Sequence, residues 1–180
     1  GRTKMSKSLG NVVNPMDMID NYGVDAFRYF LIAEMTLGQD ASFTEEAFVK
    51  RYNADLANDL GNVTSRVLSM ISRYCDGKMP APADGGFDTA LEDALWKENV
   101  TVANEMGELI RSMKLDGSVA SVMTAVRKIN VFLQERAPWS LAKQEGAEAQ
   151  VAHCLYTAAE CLRVCAALLY PVMPAKMLEL

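Results

Sequence analysis

Two lysines, two serines and a glycine fall within eight residues near the start of this 180-residue chain, in the run Lys4-Met5-Ser6-Lys7-Ser8-Leu9-Gly10-Asn11. A lysine ammonium is a compact point charge on a flexible stem, able to follow a phosphate as it moves. Backbone N–H groups and serine hydroxyls of such a turn donate further bonds to phosphate oxygens. Nucleotidyl transfer needs a clamp of this kind. Negative charge builds on the departing pyrophosphate, and donors placed there favour the transition state over the ground state. Gly10 is a reasonable hinge for a loop that closes over a nucleotide. Considered as a lysine pair alone, the run is no more than a basic surface loop.

A second set of residues suits nucleobases. Asn62 and Arg66 are spaced i, i+4, so on a helix they project from one face a turn apart, beside Val63 and Val67. Asparagine offers both a donor and an acceptor, and arginine a rigid donor fork. Trp139 follows Pro138, which stops the preceding helix and leaves an indole at a helix end. Splayed single-stranded bases stack on such rings and on guanidinium planes, at ~1–3 kcal/mol per base. Without other support, a tryptophan at a bundle corner is more often a core plug. An Asn–Arg pair is likewise more often part of a solvated stripe, here extended by Ser69 and Arg73. Trp96 has no comparable setting and is assigned to the core.

Helices must carry these residues. Pro15 starts a short one, since proline is tolerated at a first helical position, and Gly23 ends it. The next spans 24–34, with Ala26, Phe27, Phe30 and Leu31 as its apolar face. A turn at 38–40 leads to Thr44-Glu45-Glu46-Ala47, a capping residue followed by first-turn acids. Phe48, Tyr52, Leu56, Leu60, Val63, Val67, Met70 and Tyr74 then form one long stripe at intervals of three or four. Asp76-Gly77 and the Pro/Ala/Gly-rich run 80–86 close it. Leu91, Leu95, Val102, Met106, Leu109 and Met113 mark the next helix, closed by Asp116-Gly117. Val119, Val122, Val126, Ile129 and Leu133 mark another, stopped by Pro138. Val151, Leu155, Ala158, Leu162, Cys165 and Leu169 mark the last, ended before Pro171. Only Val12-Val13 hints at a strand. Four long amphipathic helices on short connections imply an all-α antiparallel bundle.

Composition narrows the function. Half of the residues are hydrophobic and 23% are charged, which is enough for one good core. The apolar run 165–173 is far too short to span a bilayer, and no leader sequence is evident, so no membrane role is expected. The net charge of −5 argues against a polyanion partner at first sight. Its distribution is more permissive: residues 1–10 hold three bases and no acid, and 111–143 hold six bases against two acids. Cys75, Cys154, Cys161 and Cys165 form no C-x-x-C pair and read as reduced core residues of a cytoplasmic protein. His153 has no second ligand pair at zinc spacing, so no metal site is expected.

The eight residues of the lysine–serine loop match the signature loop of class I aminoacyl-tRNA synthetases without departure. Downstream, Tyr52-Asn53-Ala54-Asp55-Leu56-Ala57-Asn58-Asp59-Leu60-Gly61-Asn62, its continuation Val63-Thr64-Ser65-Arg66, and Ala137-Pro138-Trp139-Ser140-Leu141-Ala142-Lys143 resemble the methionyl branch of that class. Tyr22-Gly23-Val24-Asp25-Ala26 and Gly38-Gln39-Asp40 fit the same pattern. The resemblance implies that Lys4 and Lys7 act on the ATP phosphates and the leaving pyrophosphate. Lys4, Met5, Ser6, Lys7 and Ser8 would form the ATP-binding loop, with Mg2+ accompanying ATP. It implies that Asn62, Arg66, Pro138 and Trp139 read the C-A-U anticodon of the tRNA for methionine. It also implies a loop and small helical joint over 1–43 and an anticodon-binding bundle over 44–180. The family's H-I-G-H-type motif is not found in these residues, so this chain looks like an excised part and is not expected to form an adenylate by itself. Two other readings stay open: a class I relative of the cysteine or leucine type, or a non-catalytic helical interaction module.

Overall fold

The computed structural model describes residues 13–39, 43–83 and 86–180, so Lys4, Met5, Ser6, Lys7 and Ser8 lie outside the described residues. It is all-α, with no strand among the described residues, Val13 included. Pro15 occupies the first turn of α1 (Pro15–Tyr22), where Asn14 caps by accepting from the Met16 amide at 3.1 Å. Gly23, at φ 87°, turns the chain into α2 (Val24–Glu34). Met18, Ala26, Phe30 and Phe48 close a small core around these two helices.

Thr44 caps α3 (Glu45–Arg51), accepting from the Ala47 amide at 3.1 Å. The helix does not continue with 3.6-residue turns, as the stripe of apolar residues suggests it would. It passes into a π segment (Tyr52–Gly61) and then into α4 (Asn62–Tyr74). The reason is visible in the spacing. Phe48, Tyr52, Leu56 and Leu60 stand four apart, and in an α-helix each such interval drifts by roughly 40°, about 120° over the three. A wider turn drifts the opposite way, so π turns after Tyr52 offset the drift of the α turns before it. Phe48 then stays in the small core, Leu56 touches both cores, and Leu60 enters the main one.

Asp76 and Gly77, at φ 51° and 70°, end α4, and the chain crosses to α5 (Ala90–Arg111). The next reversal falls at 112–114, where Met113 has φ 58°, and not at Asp116-Gly117. Those two residues lie in the first turn of α6 (Leu115–Arg136). A left-handed Ala137 precedes the short α7 (Pro138–Leu141), and then come α8 (Glu148–Leu169) and α9 (Pro174–Glu179). Arg136–Glu92 and Lys128–Glu98 pair residues in reverse order, so α5 and α6 are antiparallel.

The main core is built from Val63, Val67 and Ile71 of α4, Val119, Val122, Val126, Ile129 and Leu133 of α6, and the buried face of α8. Each such aliphatic side chain contributes about 1.5–3 kcal/mol by leaving water. With a mean hydropathy of 1.3, α8 is long and apolar enough to cross a membrane by composition. Here it packs among α4, α5 and α6. Cys154, Cys161 and Cys165 lie wholly in that core, and burial pushes each thiol up to about 12. Cys75 is half-buried at its edge. Trp96, expected inside, is 43% exposed. It faces outward on α5 between the inward positions Leu95 and Asn99, a placement that hydrophobicity alone does not reveal.

Candidate nucleic-acid interface

The start of α4 presents Asn62 to solvent and leaves Arg66, one turn later, half-buried, while Val63 and Val67 beside them are fully buried. Burial of the valines fixes the direction of the two polar residues. The third member arrives from the far end of α6. Ala137 adopts φ 45° and ψ 60°, its amide bonding to the Leu133 carbonyl at 3.1 Å. Pro138, buried, then opens α7, whose first turn closes through Ser140 N to Ala137 O at 2.7 Å. Trp139 is thereby turned back toward α4, half-buried, with Arg66 Cζ 5.7 Å from its ring centroid. It is a partly open ring under a guanidinium, not a plug. Pro138, buried at the start of α7, sets the direction of Trp139.

Asn130 of α6 adds a fourth residue to the cluster. Its Oδ1 accepts from Arg66 Nη1, which holds the guanidinium plane near the indole. The two residues are 64 positions apart, and a lone asparagine beside Ile129 carries no pattern of its own. Asn62, Arg66 and Trp139 are thus brought to one end of the bundle, with Asn130 as support. The arrangement offers a donor fork, an aromatic face and a free amide group, which is the equipment for holding a splayed base.

The electrostatics differ from what the charge counts suggest. Four of the six bases in 111–143 are neutralised by ion pairs, one within its own helix and three across the fold. Arg111 pairs with Glu108, Arg127 with Asp55 and Asp59, Lys128 with Glu98, and Arg136 with Glu92. The bond to Glu92 also raises the Arg136 guanidinium above its ordinary value. Lys114 and Lys143 have no ion pair among the described residues. A basic field around Trp139 therefore comes from few groups, and a base held there would depend on shape and stacking more than on charge. No metal-holding cluster occurs among the described residues. His153 Nδ1 accepts from the Ala83 amide at 3.2 Å and its ring packs on Phe87, a structural role.

A model of the family described as tRNA synthetases class I (M) matches residues 1–68. The methionine–tRNA ligase of Enterococcus faecalis is 43% identical over 98% of this chain and 26% of its own length. That of Streptomyces coelicolor is 40% identical over 97% of this chain and 32% of its own. The crystal structure of Mycobacterium tuberculosis methionyl-tRNA synthetase bound by methionyl-adenylate superposes with a TM-score of 0.90. It is 36% identical, over 98% of this chain and 35% of that one. The chain is a homologue of one part of the methionyl-tRNA synthetases. It spans about a quarter to a third of the length of these relatives. The apo form of the M. tuberculosis synthetase also matches, with a TM-score of 0.84 and 33% identity over 92% of this chain and 33% of that one. Likeness to the family thus runs through the bundle as well as through the stretch that the family model covers.

Proposed function

We propose that this chain is the part of a methionine–tRNA ligase that reads the anticodon and supplies the loop that stabilises ATP phosphates. In the whole protein, methionine would be activated with ATP and Mg2+ and passed to the 3′ end of its tRNA in the cytoplasm. Lys4 and Lys7, with Met5, Ser6 and Ser8, would take the phosphates. Asn62, Arg66 and Trp139, with Pro138 aiming the ring, would take the C-A-U bases. The observation that carries this reading is the convergence of Arg66 and Trp139 from helices far apart in sequence. A guanidinium poised over a half-open indole contributes little to a core, and it suits an unstacked base.

Fluorescence anisotropy of the chain with a labelled stem-loop bearing C-A-U, beside a copy with one anticodon base changed, tests the proposal. Two salt concentrations separate sequence-blind phosphate binding, which is strongly salt-dependent, from base reading. A C-A-U preference that survives higher salt and is lost in Trp139→Ala, with affinity reduced by about 1–3 kcal/mol, supports it. Equal binding of the two RNAs by the unsubstituted chain would refute it.

A further inference from the structure

We infer that the π segment sets the rotation at which Asn62 and Arg66 meet an RNA base, with Gly61 and Asp55 as positioning residues that touch no RNA themselves. This rests on the anticodon-reading proposal above and extends it to residues outside the base-reading cluster.

The wide turn ends at the reader itself. The Asn62 amide donates to the carbonyl of Ala57, five residues back, and Arg66 follows one turn later. Each residue of register in a helix is worth roughly 100° of rotation. Narrowing the segment to α spacing would therefore swing Arg66 away from Asn130 and Trp139 and rotate Asn62 with it, or drag Val63 and Val67 out of the core.

Two features keep the wide register. Gly61 is exposed in mid-helix, where glycine is ordinarily a poor choice. A Cβ built there would stand 3.0 Å from the Leu56 carbonyl oxygen, again five residues back, so that backbone would have to give way. Asp55, buried in the segment, is the second. Its Oδ2 accepts from the Tyr29 hydroxyl at 2.8 Å and from Arg51 at 3.2 Å, and its Oδ1 accepts from Arg127 at 3.2 Å. Arg127 also bonds to Asp59 at 2.6 Å. One carboxylate thus ties the π segment to α2 and α6. Burial, reinforced by Asp55, raises the Tyr29 pKa, which keeps that hydroxyl a donor. The Thr64 hydroxyl donates to the Leu60 carbonyl at 2.7 Å, occupying a backbone acceptor at the junction. A cavity of ≈ 790 Å³, lined in part by Leu56, Ala57, Leu60, Gly61, Thr64 and Ser65, leaves room beside the segment for its register to change. The wide turn is held by named groups in a place where it is free to relax.

The test applies the two-RNA anisotropy assay to Gly61→Ala and, separately, to Asp55→Asn, which keeps the side-chain size and removes the charge. Circular dichroism establishes that each variant is folded at the assay temperature. The expected result is a fall of about fivefold or more in the ratio of C-A-U to altered-anticodon affinity, the factor that one misplaced hydrogen bond represents. Salt-dependent binding of the altered RNA should persist. A folded variant that keeps the unsubstituted ratio overturns the inference, as does an equal loss of both RNAs. If Gly61→Ala does not fold, Asp55→Asn decides alone. An unsubstituted chain without any preference removes the anticodon proposal and this inference together. Preference retained in every variant removes this inference only.

Discussion

Arg136→Met will cost this fold far more than an exposed ion pair is worth. Arg136 joins the last turn of α6 to the first turn of α5: its Nε donates to Glu92 Oε1 and its Nη2 to the Asp88 carbonyl, each at 2.8 Å, and Nη2 also contacts Glu92 Oε2. The two side chains are only 10% and 3% exposed. Methionine preserves much of the stem's packing but leaves the Glu92 carboxylate in the interior without its counter-charge. Removing one member of a buried pair costs about 3–5 kcal/mol, whereas an exposed pair contributes about 0–1 kcal/mol. For a chain of this length each kcal/mol moves Tm by about 2–4 °C, so the expected fall is roughly 6–20 °C. Urea unfolding followed by far-UV circular dichroism should be run on the parent, Arg136→Met, Glu92→Leu and the double variant. The double variant should recover most of the loss, because an apolar pair of similar volume often replaces a buried ion pair without penalty. A loss below about 1 kcal/mol in Arg136→Met, or a double variant that loses the sum of the singles, would refute the reasoning. Trp139 begins three residues later, so the same variant should also weaken RNA binding.

Two further outcomes follow from backbone and burial. Met113 is held at φ 58° with its side chain 63% exposed, so Met113→Gly relieves a left-handed strain at little loss of packing. Net of the freer unfolded chain, it should stabilise by about 0.5–1 kcal/mol, read as a higher urea midpoint. Cys75 should react with Ellman's reagent in the native state while Cys154, Cys161 and Cys165 do not, all four reacting once denaturant is added. Those three buried thiols are raised from 9.0 to about 12, so the stability they contribute is fully present below pH 9. It is lost as pH rises through about 12, and the urea midpoint should fall across that window.

The amino-acid sequence alone marked the long helices, though not all of their ends, because their signals are local. Apolar spacing, Pro15 in a first turn, the cap at Thr44 and the stop before Pro138 act within a turn or two of the residues they govern. Asn62, Arg66 and Trp139 stand out through the family resemblance of their segments, because spacing and residue type by themselves favour a solvated stripe and a core plug. Only the tertiary structure decided the rest. The choice between α and π turns over Tyr52–Gly61 depends on serving two cores with one helix, a demand absent from any single window of sequence. Asn130 joins the site through a partner 64 residues away. Half of the six bases counted over 111–143, namely Arg127, Lys128 and Arg136, are neutralised by acids from distant segments, Asp55, Asp59, Glu98 and Glu92. Charge and hydrogen bonding act through space, and chain order lists neighbours along one dimension only. Trp96 shows the same limit, since its hydrophobicity says what it can bury and the packing of α5 says that it does not.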